Sequence, residues 1–302
     1  MLKTNEMVRK LSVDNPNLCT LSDADIRQVQ AVLLDMLSDL DALCRKHSLS
    51  YLLCAGTALG AVRHKDFIPW DEDVDVGMPR RDYDKLTELL LAEYGDKYWV
   101  QSIRNNEHYD LPFLKIRKKG TRFIEIFESD PAHAGVFVDI YPLENVPDFA
   151  PWRWLHGIVS DGLQFCCSCV RMRKNKERYF TYFDDPAVHK AVKIKAFLGG
   201  CLGFFPLRRW CRLADWWVSC CRKETTRRVT FPSGRKHYFG EMCPRDSFFP
   251  PKETPFASKR FLIPREPSVH LSRLYGDYMT VPSADQQMRH TILELELGEA
   301  HV

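Results

Sequence analysis

Residues 67–78 read Phe-Ile-Pro-Trp-Asp-Glu-Asp-Val-Asp-Val-Gly-Met, so Asp71, Asp73 and Asp75 fall at alternate positions of an otherwise apolar, β-prone run. In a strand, side chains at i and i+2 share a face and stand about 6.7 Å apart. Val74, Val76 and Met78 take the other face, which asks for a core. A turn of solvated acids after Pro69 would need no such apolar alternation. The pattern therefore predicts a strand over 71–78 with a row of carboxylates on one side. That row repels itself unless a cation sits among the acids.

The flanking elements sharpen this reading. Tyr51-Leu52-Leu53-Cys54 is a short apolar strand that runs directly into Ala55-Gly56-Thr57-Ala58-Leu59-Gly60, a glycine turn opening a short helix. Such a turn lets main-chain N–H groups approach a phosphate, and the helix dipole favours the anion. Gly56 and Thr57 are candidate anion contacts, and the aspartates are candidate Mg²⁺ ligands. A third segment, Gly135 to Tyr141, sets Asp139 in another strand-like apolar stretch. Phosphate turn and acids together argue for transfer of a phosphorus-centred group. Glycoside hydrolysis needs only two carboxyl groups and no phosphate turn.

The chain's 302 residues, 45% hydrophobic and 27% charged, suit a folded protein of one large or two modest domains. No basic start precedes a long apolar run, so neither a secretory signal nor an N-terminal anchor is expected. The longest apolar stretch, 196–207, is broken by Gly199, Gly200 and Gly203 and is too short to span a bilayer. Eleven scattered cysteines point to a reducing compartment, hence a cytoplasmic protein, rather than a disulfide scaffold. Cys166 and Cys169 have Cys-x-x-Cys spacing, but no second pair follows at a zinc-knuckle distance.

Charge is uneven. From 171 to 236 there are 17 Lys/Arg against 5 Asp/Glu, a net of +12 in a chain that totals +3. This segment should face an anionic partner. Within 204–223, Phe204, Phe205, Leu207, Trp210, Leu213, Trp216 and Trp217 mix with Arg208, Arg209, Arg212, Arg222 and Lys223. Such a mixture fits peripheral contact with the inner face of an anionic membrane, or an internal helix packed on the α/β unit. No nucleic-acid module accompanies it, and no nucleic acid is expected.

Apolar periodicity predicts a helix over 23–46, a helix from Pro79 to Tyr94, and strands near 98–103, 111–117, 121–127 and 136–141. The organisation read from this is an N-terminal arm (1–20), a mixed α/β core (21–147) ending at the proline-rich 142–151 region, and a helical, basic, then loop-rich region (148–302).

The run from Gly56 to Met78, with Arg81-Asp82-Tyr83, Gly135 to Leu143 and Leu274-Tyr275-Gly276-Asp277-Tyr278-Met279, resembles the signature of the LicD family of bacterial phosphorylcholine transferases. The fukutin-related proteins, ribitol-phosphate transferases, are its eukaryotic relatives. The resemblance implies a nucleotidyltransferase-like fold, with a mixed sheet flanked by helices. It implies transfer of phosphorylcholine, or a similar phospho-alcohol, from CDP-choline or another CDP-alcohol to a glycan precursor such as lipopolysaccharide or teichoic acid. By resemblance, Gly56 and Thr57 form the phosphate turn, and Asp73, Asp75 and Asp139 hold Mg²⁺, with Mn²⁺ as the alternative. Many relatives carry a Phe-Glu pair before an Ile-Pro. Here 256–264 has Lys259-Arg260 instead, a departure that bears on donor or acceptor contacts.

Roles for other residues follow from that chemistry. Asp71 is a supporting ligand or the base, and Asp139 is the rival base. Arg63, His64 and Lys65 follow the glycine turn and are candidate phosphate contacts, with a structural ion pair as the alternative for Arg63. Arg80 or Arg81 is placed to close over the nucleotide, with a solvent-facing position at the helix start as the alternative. Lys115 and Arg117 share a strand face, at a phosphate or on a solvated sheet edge. A quaternary ammonium is best held by aromatic faces, and Trp70, Tyr98, Trp99 and Tyr141 are the candidates. A non-catalytic binding protein is the other functional class; it would tolerate loss of Asp73 or Asp75.

Overall fold

The computed structural model describes residues 15, 18–283, 286–287 and 290–298, so most of the expected N-terminal arm lies outside the described residues. The first helix, α1 (Asp23–Lys46), begins at a capping box: Ser22 Oγ accepts the Asp25 N–H, and the Asp25 carboxylate accepts the Ser22 N–H. Its apolar stripe, from Ile26 through Val29, Leu33 and Leu37 to Leu40, is fully buried. Each such side chain contributes about 1.5–3 kcal/mol.

A mixed sheet follows. Its strands are β1 (Leu52–Leu53), β2 (Val74–Pro79), β3 (Tyr98–Gln101), β4 (Leu114–Lys118) and β6 (Phe137–Val146), in the order β1-β2-β6-β4-β3. The β2–β6 pair is parallel and its neighbours are antiparallel. Helices α2 (Ala55–Arg63) and α3 (Arg80–Tyr94) flank β2 in the chain. Strand β5 (Arg122–Glu125) stands apart and pairs with a distant C-terminal strand over 292–296.

The chain then builds a helical layer: α4 (Ala150–Lys174), α5 (Lys176–Tyr182), α6 (Pro186–Cys201) and α7 (Leu207–Val218), with α6 and α7 packed on α4. It returns to the sheet through β7 (Arg228–Thr230), which pairs with the second half of β6, and, after α8 (His237–Gly240), through β8 (Cys243–Pro244). A hairpin, β9 (Lys252–Phe256) and β10 (Lys259–Ile263), buries Phe256 and Phe261 in the main core. Helix α9 (Pro267–Tyr275) and β11 (Ile292–Glu296) close the chain. No described helix is long and apolar enough to cross a membrane.

Two expectations shift. The acidic strand begins at Val74, not at Asp71. Asp71 N–H bonds back to Ile68 O, and Gln30 Nε2 donates to the carbonyls of both Ile68 and Asp71, so this stretch is held by α1 instead of a strand neighbour. The β6 strand does not stop at Tyr141 but runs on to Val146. Pro142 fits inside it because β4 pairing ends at Ile140, leaving no N–H to supply on that side. The departure at 256–264 is the β9–β10 hairpin, where Lys259 Nζ donates to Ser38 Oγ at 2.6 Å and Arg260 faces Glu253 at 3.6 Å.

Candidate active site

The acid row is anchored to α2 at its first turn. Cys54 N–H donates to Asp75 O at 3.0 Å, and Asp75 N–H donates to Thr57 Oγ1 at 2.8 Å. The Thr57 hydroxyl thus fixes β2 against the helix start. Ala55 adopts φ +42°, an unfavourable backbone for a non-glycine residue, and its N–H points to His270 Nε2. A Cβ on Gly56 would lie 2.9 Å from Asp71 Oδ2 and 3.9 Å from Asp75 Oδ2. Glycine leaves room for the Asp71 carboxylate in its present position above the positive end of α2. Gly60 serves a second close approach, since a Cβ there would meet Asp66 O at 2.6 Å.

Asp139 arrives from the neighbouring strand. It is the β6 register partner of Asp75, and Lys115 is its partner in β4. Lys115 Nζ stands 3.3 Å from Asp139 Oδ1 and 2.9 Å from Glu125 Oε2, over the ring of Phe137 at 3.4 Å. Burial pushes the Asp139 carboxyl up to about 6; Lys115 opposes this, and Glu125 and Asp73 add to it. His290 closes the other side. Its N–H donates to Glu72, its Nδ1 is 3.4 Å from Glu72 Oε1, and its Nε2 is 3.5 Å from Asp73 Oδ2. Burial works against a charged ring there, yet Asp73 and Glu72 carry His290 up to about 9. Burial also disfavours the Glu125 anion, but Lys115, His290 and Arg117 hold it down to about 2.

Asp71 is a strongly perturbed acid. Burial raises it well above the carboxylate range, and Asp73, Glu72, Asp75 and a hydrogen bond to Asp73 raise it further. Four aspartates crowded this way are the condition a divalent cation relieves. Among the described residues no three His, Cys, Asp or Glu side chains already converge in ligand geometry. The donors are all carboxylate oxygens, the set that hard Mg²⁺ or Mn²⁺ takes. Asp139 Oδ1 is buried with no hydrogen bond, facing the Lys115 ammonium at 3.3 Å, and Gly56 clears the space beside Asp71 and Asp75. On donor chemistry and space, the cluster fits such an ion.

Residues 48–156, which hold the glycine turn and all four aspartates, match the LicD/FKTN/FKRP nucleotidyltransferase domain. This chain carries a LicD-family domain. The similarity to the lipopolysaccharide cholinephosphotransferase LicD of Haemophilus influenzae reaches further: 27% identity over 276 residues, 89% of this chain and 97% of that one. An uncharacterized protein of Rickettsia typhi is 34% identical over 139 residues, 42% of this chain and 44% of its own length. The human ribitol 5-phosphate transferase FKRP is 49% identical over 45 residues, 15% of this chain and 9% of that protein.

Within and around the LicD-family domain, the other expected residues scatter. Arg63 sits at the end of α2, where its Nη1 donates to Tyr278 O at 2.9 Å and its Nε to His64 Nε2 at 2.9 Å; its partners are carbonyls and a ring, not an acid. Trp70 packs on the main core with its ring edge-on to His64. Lys65 turns back to Val62 O. Arg81 is exposed and faces Glu224 at 3.5 Å. Lys115 is in the acid cluster, whereas Arg117 is spent internally on Gln101, Gly135 O and Glu128. Neither lies on a solvated edge, because β4 runs between β3 and β6. Of the aromatic candidates, Tyr98 bonds to Asp39 and Trp99 packs on His133, while Tyr141 feels the field of Asp75 and Asp139.

Three participants escape pattern reading. Glu125 and His290 carry no motif of their own and reach the acids only because β5 and the 290–292 segment meet there. Tyr275 lies in the recognisable 274–279 block without a role attached. Burial raises its phenol well above the usual range, with Asp75, Asp71 and Asp73 adding to this and Arg235 opposing it. Beyond His290 and Glu125 opens a cavity of about 200 Å³, also lined by Tyr109, Phe127, Glu128 and Arg171.

Proposed function

We propose that this chain transfers phosphorylcholine, or a related phospho-alcohol, from a CDP-linked donor to a hydroxyl of a cell-surface glycan precursor. The observation that carries the reading is the pairing of Asp75 with Asp139 across β2 and β6, beside a helix start cleared by Gly56. Similarity to a lipopolysaccharide cholinephosphotransferase over 97% of that protein's length supports the reaction class. Lipopolysaccharide or teichoic acid precursors are the acceptors in view. Eleven free thiols support a reducing, cytoplasmic setting.

In this reading Asp73, Asp75 and Asp139 hold Mg²⁺ or Mn²⁺, which offsets charge on the donor diphosphate and the departing CMP. The first turn of α2 offers its dipole to the same anion. Lys115 keeps Asp139 oriented and ionisable, and His290 pairs with Asp73 at 3.5 Å. Asp71 supports Asp73 through their shared hydrogen bond. The cavity behind Glu125 and His290 offers room for the alcohol or the acceptor sugar. Either Asp71 or Asp139 receives the proton of the attacking hydroxyl; an Asp71→Asn enzyme that keeps most of its activity assigns that role to Asp139.

Ribitol phosphate is the second reading, favoured by 49% identity to FKRP over 45 residues. Purified protein incubated with Mg²⁺, glycan acceptors and either CDP-choline or CDP-ribitol separates the two through CMP release and acceptor mass. EDTA should abolish both signals. Pyrophosphate release from CTP, with no CMP from either donor, would remove the transferase reading in favour of nucleotidyl transfer.

A further inference from the structure

Folding divides the basic aromatic 204–223 segment. Leu207, Trp210, Cys211, Ala214 and Val218 turn inward, so one side of α7 is ordinary core. What stays outside is joined by apolar residues from α4. On α7, Arg209, Leu213 and Trp216 are exposed at spacings i, i+4 and i+7; on α6, Lys190, Ile194 and Phe197 repeat the same spacing. Each stripe therefore puts a cation one turn before two apolar side chains. Phe197 is 73% exposed and Trp216 59%.

The middle helix supplies the rest. Leu155, Gly162 and Cys169 follow at heptad spacing and so share one face of α4. At Cys169 that face is covered, since a Cβ on Gly199 of α6 would collide with the Cys169 carbonyl. At Leu155 it is bare, and Ile158 beside it is 59% exposed. Trp152 and Trp216 both border Trp217, at 5.8 and 6.2 Å between ring centroids, which joins the α4 and α7 surfaces. On α4 and α7, exposed Trp152, Leu155, Ile158 and Trp216 form a patch that exceeds the scattered apolar residues of an ordinary surface, whereas the α6 stripe lies opposite Gly199 and points away from α4.

We infer that this helical face docks the protein on an anionic phospholipid surface. Charge decides the occupant. Arg209 and Arg212, on the same helix as exposed Leu213 and Trp216, are exposed, and among the described residues neither is ion-paired. A two-fold contact with a second copy would set these cations against one another. A sheet of lipid phosphates pairs with them while the apolar side chains enter the headgroup boundary. The same α4 carries Arg171 at the wall of the cavity, sixteen residues from Leu155, about 24 Å along the helix axis. A membrane-held acceptor would then reach the acids from a fixed height. The docking itself does not depend on the proposed reaction.

Vesicle co-sedimentation of the full chain tests this. The wild-type protein is expected to bind phosphatidylcholine vesicles containing phosphatidylglycerol at least about tenfold better than phosphatidylcholine alone, and to lose that advantage as salt rises. Ile158→Asp, and separately Arg209→Glu with Arg212→Glu, should each weaken binding by about tenfold or more. All three positions are exposed, so thermal midpoints should hold; Trp216→Ser replaces any variant whose midpoint falls. Absence of binding to the anionic vesicles, or binding unchanged in folded variants, overturns the inference. So does sedimentation velocity showing a wild-type dimer that Ile158→Asp converts to monomer, because the face would then belong to a second copy.

Discussion

Asp75 and Asp139 are register partners in a parallel ladder, so their side chains leave the sheet on the same face from strands about 4.8 Å apart. Neither β2 nor β6 alone could build this pair, and Lys115 opposite Asp139 keeps the second acid from being wholly unpaired. Asp75→Asn and Asp139→Asn are each expected to lower kcat by about a thousandfold, the scale of removing a charge that steadies a transferring phosphoryl group. CMP release from the CDP donor measures it. A variant of either residue that keeps more than a tenth of wild-type kcat would take that residue out of the reaction.

Gly56→Ala tests the clearance above α2. The new methyl would sit 2.9 Å from Asp71 Oδ2, and the flexible end of Asp71 must give way. Alanine in place of helical glycine gains about 0.5–1 kcal/mol, so the strain and the propensity nearly cancel in stability. The cost should fall on activity, about tenfold to a hundredfold in kcat. A thermal midpoint within a few degrees of wild type, together with reduced CMP release, is the expected pair of results. Full activity would show that Asp71 need not hold its position.

His270 gives the fold an acid limit. It is buried between Phe231 and Phe248, and its Nε2 faces the Ala55 N–H at the start of α2. Burial lowers its pKa to about 4, from 6.5 in an unfolded chain. The folded state therefore binds the proton less tightly than the unfolded state. The stability this provides is whole above pH 6.5 and drains away as pH falls toward 4, at up to about 1.4 kcal/mol per unit. His270→Gln keeps an acceptor but cannot titrate, so its urea midpoint should fall less between pH 7 and pH 5 than that of wild type. Parallel losses in the two proteins would exclude His270 as the cause.

The glycine turn, the strand containing Asp75 and the strand containing Asp139 were legible because each is local: a glycine before a helix, and apolar residues at period two. The mixed α/β core followed from them, and the mixed sheet from the family resemblance. What stayed hidden depends on contacts far apart in sequence. Asp71 reads as strand, but Gln30 from α1 takes its carbonyl and ends the strand at Val74. Arg117 reads like Lys115, two residues along the same face, yet Glu128 and Gln101 enclose it. His290 reaches Asp73 only because its segment leads into β11, beside β5. A charge count flags 171–236 and the mixture of aromatic and basic residues flags 204–223, whereas the exposed apolar residues beside Trp216 come from α4, which neither signal marks.

The tie between sheet and helical layer is Arg80, which is buried with Glu144. Its Nε donates to Glu144 Oε1 at 2.8 Å, and its Nη2 stands 2.9 Å from Asp215 Oδ1 on α7. Glu144 sits in β6, five residues beyond Asp139, and is fully buried. Burial disfavours its anion and keeps its pKa raised, and Arg80 offsets part of that cost. Arg80→Met removes the offset and leaves two acids facing each other, for a loss of about 3–5 kcal/mol in urea unfolding. Adding Glu144→Leu removes the buried charge that was stranded, so the double variant should be more stable than Arg80→Met alone. If Arg80→Met costs less than about 1 kcal/mol, water reaches Glu144 and the pair does not hold the layers together. If the double variant is weaker than the single, the pair contributes packing that Met and Leu cannot replace.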